Sequence, residues 1–233
     1  MFGPLDLFGA EFFSKDEKPF GKSYDNWVEE FWNQWIGLSR QEATPKPDGC
    51  LINNQSLVML MDPTETTRNT PIQRCSILST QGILVPLWIG WCDTSPDGAE
   101  PKEPLSKCAR EALNEGDIRS RVVVDGNPVA NLNVRNSGVS GIARNSIANV
   151  TELPPPGTES PNFNLVVPAD SKYNGLSTFE GYWAAGSHGF WVFLKPLSPG
   201  QHTFEYDTTV HPIGVSGGTN NVDSKISYIL DVK

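Results

Sequence analysis

The stretch that most constrains this chain is Ser23-Tyr24-Asp25-Asn26-Trp27-Val28-Glu29-Glu30-Phe31-Trp32-Asn33-Gln34-Trp35-Ile36. Its apolar residues fall at 24, 27, 28, 31, 32, 35 and 36, the spacing of an α-helix with one buried stripe. Ser23 is a good N-cap, and Asp25, Glu29 and Glu30 lie toward the N-terminal end, where the helix dipole favours negative charge. Three tryptophans on one stripe need a broad apolar partner. Almost everything after this helix reads as strands and turns, so the partner is a sheet.

Leu57-Val58-Met59-Leu60-Met61 is an apolar run bounded by Ser56 and Asp62-Pro63, which suits a buried strand. Arg74–Leu78 and Ile83–Trp91 are two more, separated at Gly82. Pro86 lacks a ladder donor, so its strand is an edge or carries a bulge there. After a loop from Asp93 to Pro104, a second short helix begins at Ser106 and ends at Gly116. One face of it carries Cys108, Ala109, Ala112 and Leu113. Ser120–Val129 reads as a hairpin, with Asp125-Gly126 supplying the positive-φ turn.

Residues 133–160 are polar and rich in Gly and Pro, and read as one long excursion off the sheets. Strands resume at Asn162–Val167, Gly189–Leu194, His202–Tyr206 and Lys225–Val232, with no internal repeat. At 233 residues, with 21 Gly and 19 Pro scattered through it, the chain fits one domain of many short strands. The predicted architecture is mainly β: a single-domain antiparallel β-sandwich, jelly-roll-like, with an N-terminal Trp-rich helix and one short helix. It spans 23–233, preceded by an extended aromatic arm over 1–22. Phe2, Leu5, Phe8, Phe12 and Phe13 of that arm either pack over the sandwich or dock on another subunit, where they would serve in assembly.

The formal net charge is −9, and no Lys/Arg cluster occurs. Both facts argue against nucleic acid or an anionic membrane as partner. No apolar run approaches the roughly 18 residues of a membrane span. The first twenty residues lack a charged n-region, and Asp6 and Glu11 break any apolar core, so no signal peptide is read there.

Four cysteines, Cys50, Cys75, Cys92 and Cys108, include no CxxC pair, which sets aside the usual zinc spacing. Pairing 50 with 75 and 92 with 108 is the simplest of the three connectivities. Each bridge would contribute roughly 3 kcal/mol in the chain-entropy model. Cys92 and Cys108 flank a loop rich in Pro, Asp and Gly that needs anchoring, which favours disulfides over buried thiols.

Ser23-Tyr24 with Trp27, Trp32 and Trp35, then Cys50, then Cys75 before an apolar strand, resembles a group of uncharacterised archaeal, bacterial and viral proteins. Gly189-Phe190-Trp191-Val192-Phe193-Leu194-Lys195-Pro196-Leu197-Ser198-Pro199-Gly200-Gln201-His202 is similar to their shared C-terminal signature, and the hairpin at Asp125-Gly126 is similar as well. The likeness covers most of residues 19–210. It implies an exported or surface β-sandwich, since such relatives usually begin with a signal peptide, and it carries no assigned activity. The departure at this N-terminus points toward a virion protein or one assembled in the cytosol.

No nucleophile elbow, P-loop, HExxH or dinucleotide fingerprint is present. Of His188, His202 and His211, His202 lies an odd number of residues from Glu205, so the two do not share a strand face. Asp25 with Glu29, or Glu180 beside Tyr182, could supply carboxylates for glycoside hydrolysis, but nothing marks them as more than a solvated face. Tyr182, Trp183 and His188 sit in a Gly-rich stretch suited to a loop platform for sugar rings. Two sequons occur, at Asn54 and Asn149, the second the more accessible. No catalytic residue, metal or cofactor is expected. The sequence points to a non-enzymatic structural or interaction protein of a virion or cell surface, partnered by copies of itself or other shell proteins. A secreted carbohydrate-binding module is the alternative, and a hydrolase of unrecognised type stands third.

Overall fold

A helix forms where the apolar spacing places it. α1 runs Tyr24–Gly37, and the Ser23 hydroxyl accepts the Asn26 N–H at its start. Tyr24, Trp27, Val28, Phe31, Trp32, Trp35 and Ile36 are all buried, so the whole stripe faces inward. Each indole N–H of α1 finds an acceptor: Trp27 the Pro19 carbonyl at 3.0 Å, Trp32 the Ser187 hydroxyl at 2.7 Å, and Trp35 the Tyr173 hydroxyl. At the far end the Ser171 hydroxyl donates to the Ile36 carbonyl, and the Lys172 N–H to that of Leu38.

The computed structural model describes residues 10–38, 52–53, 57–59, 72–95, 103–113, 116–136, 142–144, 150–153, 162–176, 178–212 and 222–233. Their strands are β1 (Ile52–Asn53), β2 (Leu57–Met59), β3 (Gln73–Ile77), β4 (Gly82–Asp93), β5 (Gly116–Val124) and β6 (Asn127–Asn136). Then follow β7 (Ile142–Arg144), β8 (Thr151–Leu153), β9 (Phe163–Val167), β10 (Gly181–Leu194), β11 (Gly200–Pro212) and β12 (Val222–Val232). The second helix, α2, is Leu105–Leu113. One six-stranded sheet has the order β1-β2-β4-β10-β8, with β9 also on β10, and the other has β3-β12-β11-β5-β6-β7. The fold is a mainly β sandwich, as the alternation predicts. Its ladders are antiparallel except for the parallel pairs β2–β4 and β3–β12.

Side-chain alternation divides the first sheet between the two helices. Ser187 stands opposite Trp91, and that face, continued by Trp191 and Phe193, meets α1. Trp32 contacts Trp91, Phe31 contacts Trp191, and both Trp27 and Tyr24 contact Phe193. Gly186, Gly90 and Cys92 on the other face meet α2. The backbone of Leu105 and Ser106 lies so close over Gly186 that an added Cβ would stand 2.4 Å from the Ser106 nitrogen.

The second sheet turns Ser120, Val122, Phe204, Tyr206, Tyr228 and Leu230 inward. Its opposite face carries a charged row in register, Arg121–Asp207–Lys225. One cluster of buried residues runs through α1 and both sheets.

Pro86 lies on β4, an interior strand, so the edge-or-bulge expectation resolves to a bulge. Trp88 pairs with Phe190 and Pro86 with Trp191, which leaves Leu87 as the extra residue. The Leu87 carbonyl accepts the Tyr206 hydroxyl from the second sheet, with the Ser120 hydroxyl also within 3.4 Å.

Two stretches differ from expectation, and the described part of the arm takes the first of its two expected positions. β10 begins at Gly181, so the Gly-rich segment through His188 is strand and not loop. Its glycines are there for close approach: Gly186 lies under α2, and a Cβ on Gly189 would meet Ile89 at 2.7 Å. The stretch 133–160 is not wholly an excursion, since β6 continues to Asn136, β7 extends the second sheet, and β8 pairs with β10 in the first. In the arm, Phe12 bridges Leu194, the Phe13 N–H donates to the Phe193 carbonyl, and the Lys195 N–H donates to that of Glu11. The arm's described part therefore belongs to the sandwich. Phe13 packs against Phe20 and Phe193.

Candidate functional site

The three residues of the expected sugar platform are not brought together. Tyr182 is 82% exposed, whereas His188 on the same strand is 2% exposed, beneath α2, with its imidazole 3.5 Å from the Glu152 carboxylate. Trp183 points to the opposite face from Tyr182, as strand neighbours must. It is half-buried, and its indole N–H donates to the Phe179 carbonyl at 2.7 Å. Of these three, Tyr182 alone is exposed.

Tyr182 has other company, which the sequence did not single out. Val166 stands directly opposite it on β9, and the connection between the two strands carries Leu176 and Phe179, both exposed. Four of the seven exposed large apolar residues among the described ones thus lie in this single hairpin. The hairpin is held firmly from behind. The Asn33 side chain on α1 spans the backbone of β9, donating to the Asn164 carbonyl at 2.8 Å and accepting the Val166 N–H at 3.0 Å. Alternation along a short strand marks Val166 as outward, but no local signal separates an outward apolar residue with neighbours from a solitary one.

At one end of the sandwich a groove of about 560 Å³ runs between the segment at Ala10–Glu11, the β5–β6 turn and the turn Lys195–Pro199. Its floor holds His202. Nδ1 lies 2.7 Å from Asp125 Oδ2, and Nε2 lies 2.9 Å from the Ser198 carbonyl. Asp125, at a φ of 50°, also accepts the Thr203 N–H on Oδ1 at 2.8 Å. Partial burial works against a charge on the ring. The Asp125 hydrogen bond, the Ser198 carbonyl and the Asp125 charge outweigh it and leave the imidazole pKa above its ordinary value of 6.5. Both ring nitrogens are thus engaged in the folded chain, Nδ1 by a carboxylate and Nε2 by a backbone carbonyl.

Of the cysteines, Cys92 and Cys108 form a disulfide that ties β4 to α2, and Cys75 is disulfide-bonded too. Cys50 lies outside the described residues, as do Asn54, Asn149, Phe2, Leu5 and Phe8. His202 and Glu205 diverge as expected, with Glu205 paired to Lys225 at 2.9 Å. The described residues include no group of three or more His, Cys, Asp or Glu placed to hold a metal. No helix among them is long and apolar enough to cross a membrane.

The fold and surface define a disulfide-braced β-sandwich backed by a helix. No family model matches the chain, and no curated protein matches it. Among solved structures, a mutant of the enterotoxigenic E. coli adhesin CfaE aligns with 62% of this chain at 14% identity and a TM-score of 0.18. The alignment covers 35% of that protein, and a likeness so loose carries no weight for fold or function.

Proposed function

We propose that this chain is a non-enzymatic structural or interaction protein of a virion or cell surface, and that it associates with copies of itself. The observation that carries the reading is the exposed apolar hairpin: Val166, Leu176, Phe179 and Tyr182 on a framework braced by α1 and a disulfide. Apolar surface concentrated on a rigid element suits association, since little ordering entropy is lost when a partner covers it. The disulfide fits an oxidising setting. The resemblance to surface β-sandwich proteins belongs with this proposal.

Sedimentation of the full chain tests it. Self-association should weaken in the double variant Leu176→Ser/Tyr182→Ser while the melting temperature stays unchanged. A truncation made before Ala10 tests the arm separately, because a cut at residue 20 would also remove Phe12 and Phe13 from the sandwich. A wild-type chain that stays monomeric at high concentration overturns the reading of copy-to-copy packing.

The second reading, a carbohydrate-binding module, rests on the exposure of Tyr182 alone. Saturable glycan binding that is lost in Tyr182→Ala would favour it over assembly.

A further inference from the structure

The signature turn Leu197-Ser198-Pro199-Gly200-Gln201-His202 has a chemistry that surface packing does not account for. Both partners of the His202 ring are acceptors: a carboxylate at Nδ1 and a backbone carbonyl at Nε2. A neutral imidazole has one N–H and can satisfy only one of them, whereas the imidazolium satisfies both. The ring thereby joins two turns that are distant in sequence, the β5–β6 turn through Asp125 and the turn before β11 through Ser198. Those turns form two walls of the groove.

We propose that His202 is a pH-sensitive latch: as imidazolium it bridges Asp125 and Ser198 and holds the groove's two walls together, and as the neutral ring it releases the Ser198 wall. The direction of release follows from charge. The remaining N–H stays with the carboxylate, the stronger acceptor, and Nε2 then turns a lone pair toward the Ser198 carbonyl at 2.9 Å. That contact changes from attraction to repulsion.

Among the described residues, other charged groups around the ring are few. Lys195 lines the same groove and lies 3.7 Å from Glu11 and 3.6 Å from Glu17, two carboxylates that offset its charge. On β12, Asp231 is engaged by Gln201. Asp125 is thus the group that sets the ring's charge. Buried Leu197 anchors the middle of the mobile wall, so release moves Ser198 and Pro199 and does not unravel the turn. This inference is independent of the association proposed above.

The test is a pH titration of the full chain by NMR, reading the ring nitrogens of the three histidines and the backbone amides. His202 is assigned by its loss in His202→Gln. Expected is a His202 that keeps its second proton to higher pH than a free histidine. The amides of Ser198 and Gly200 should shift with the same midpoint. In Asp125→Asn the midpoint should move down, because the carboxylate charge is gone and the turn can still form. A His202 that is neutral at pH 6, or Ser198 and Gly200 amides that do not follow the ring, overturns the proposal. Should His202→Gln fail to fold, the wild-type titration and Asp125→Asn decide it without that variant.

Discussion

The carbonyl of Leu87 accepts the hydroxyl of Tyr206 across the middle of the sandwich, and it can do so because Pro86 breaks the ladder beside it. A carbonyl displaced by a bulge would otherwise be an unpaired acceptor in a dry interior. The second sheet supplies the donor, with Ser120 and Thr208 close behind at 3.4 and 3.5 Å. Tyr206→Phe removes the phenol and leaves the ring's packing intact. The expected cost is about 1–2 kcal/mol, the range for a buried acceptor that loses its main donor and keeps weaker ones. Denaturant unfolding should show a lower midpoint at an unchanged slope.

Gly186 lies where the first turn of α2 crosses β10. A methyl group there would meet backbone atoms, Ser106 nitrogen at 2.4 Å and Leu105 carbon at 2.6 Å, and no flexible side-chain end is available to move aside. Gly186→Ala therefore displaces the helix. An overpacking cost of about 1–3 kcal/mol is expected. The control is Gly126→Ala, which has open space around its Cβ but a φ of 76°. It should cost less than Gly186→Ala and leave the protease sensitivity of α2 unchanged, whereas Gly186→Ala should raise it.

The bond between Cys92 and Cys108 closes a loop with a sequence separation of 16. In the chain-entropy model such a closure contributes roughly 3 kcal/mol. Replacing both cysteines by serine should lower stability by about that amount, because the sheets and α1 do not depend on the bond for their packing. Unfolding monitored with and without reductant checks it. The double variant should unfold at the same denaturant concentration in both, apart from any effect of reducing the bond at Cys75.

Much of this fold is legible in the chain because its signals are local. The helix stripe at 24–36, the Asp125-Gly126 turn and the cysteine pair 92–108 each lie within a short window and depend on spacing alone. What escapes is set by distant contacts. Gly186 reads as a loop residue, since glycine's meaning at a strand position depends on what presses against it from elsewhere. The platform of Tyr182, Trp183 and His188 assumed a loop and dissolved once those residues alternated along a strand. Likewise the Asp125–His202 contact joins residues 77 apart. Only the fold sets them side by side.

The same contact gives stability a dependence on pH with a definite sign. In the folded chain the His202 pKa is raised above the unfolded value, because the Asp125 and Ser198 bonds outweigh the burial that opposes them. Between the two values the folded state holds the extra proton, so stability must fall as pH rises. The contribution is complete below the unfolded pKa of about 6.5 and is lost as pH passes through the folded value. Comparison of wild type with His202→Gln isolates it, since both chains share every other titrating group. The wild type's advantage should be largest in mildly acidic buffer and shrink toward alkaline pH. A difference between the two that stays constant across that range would mean the ring contributes by packing and not by charge.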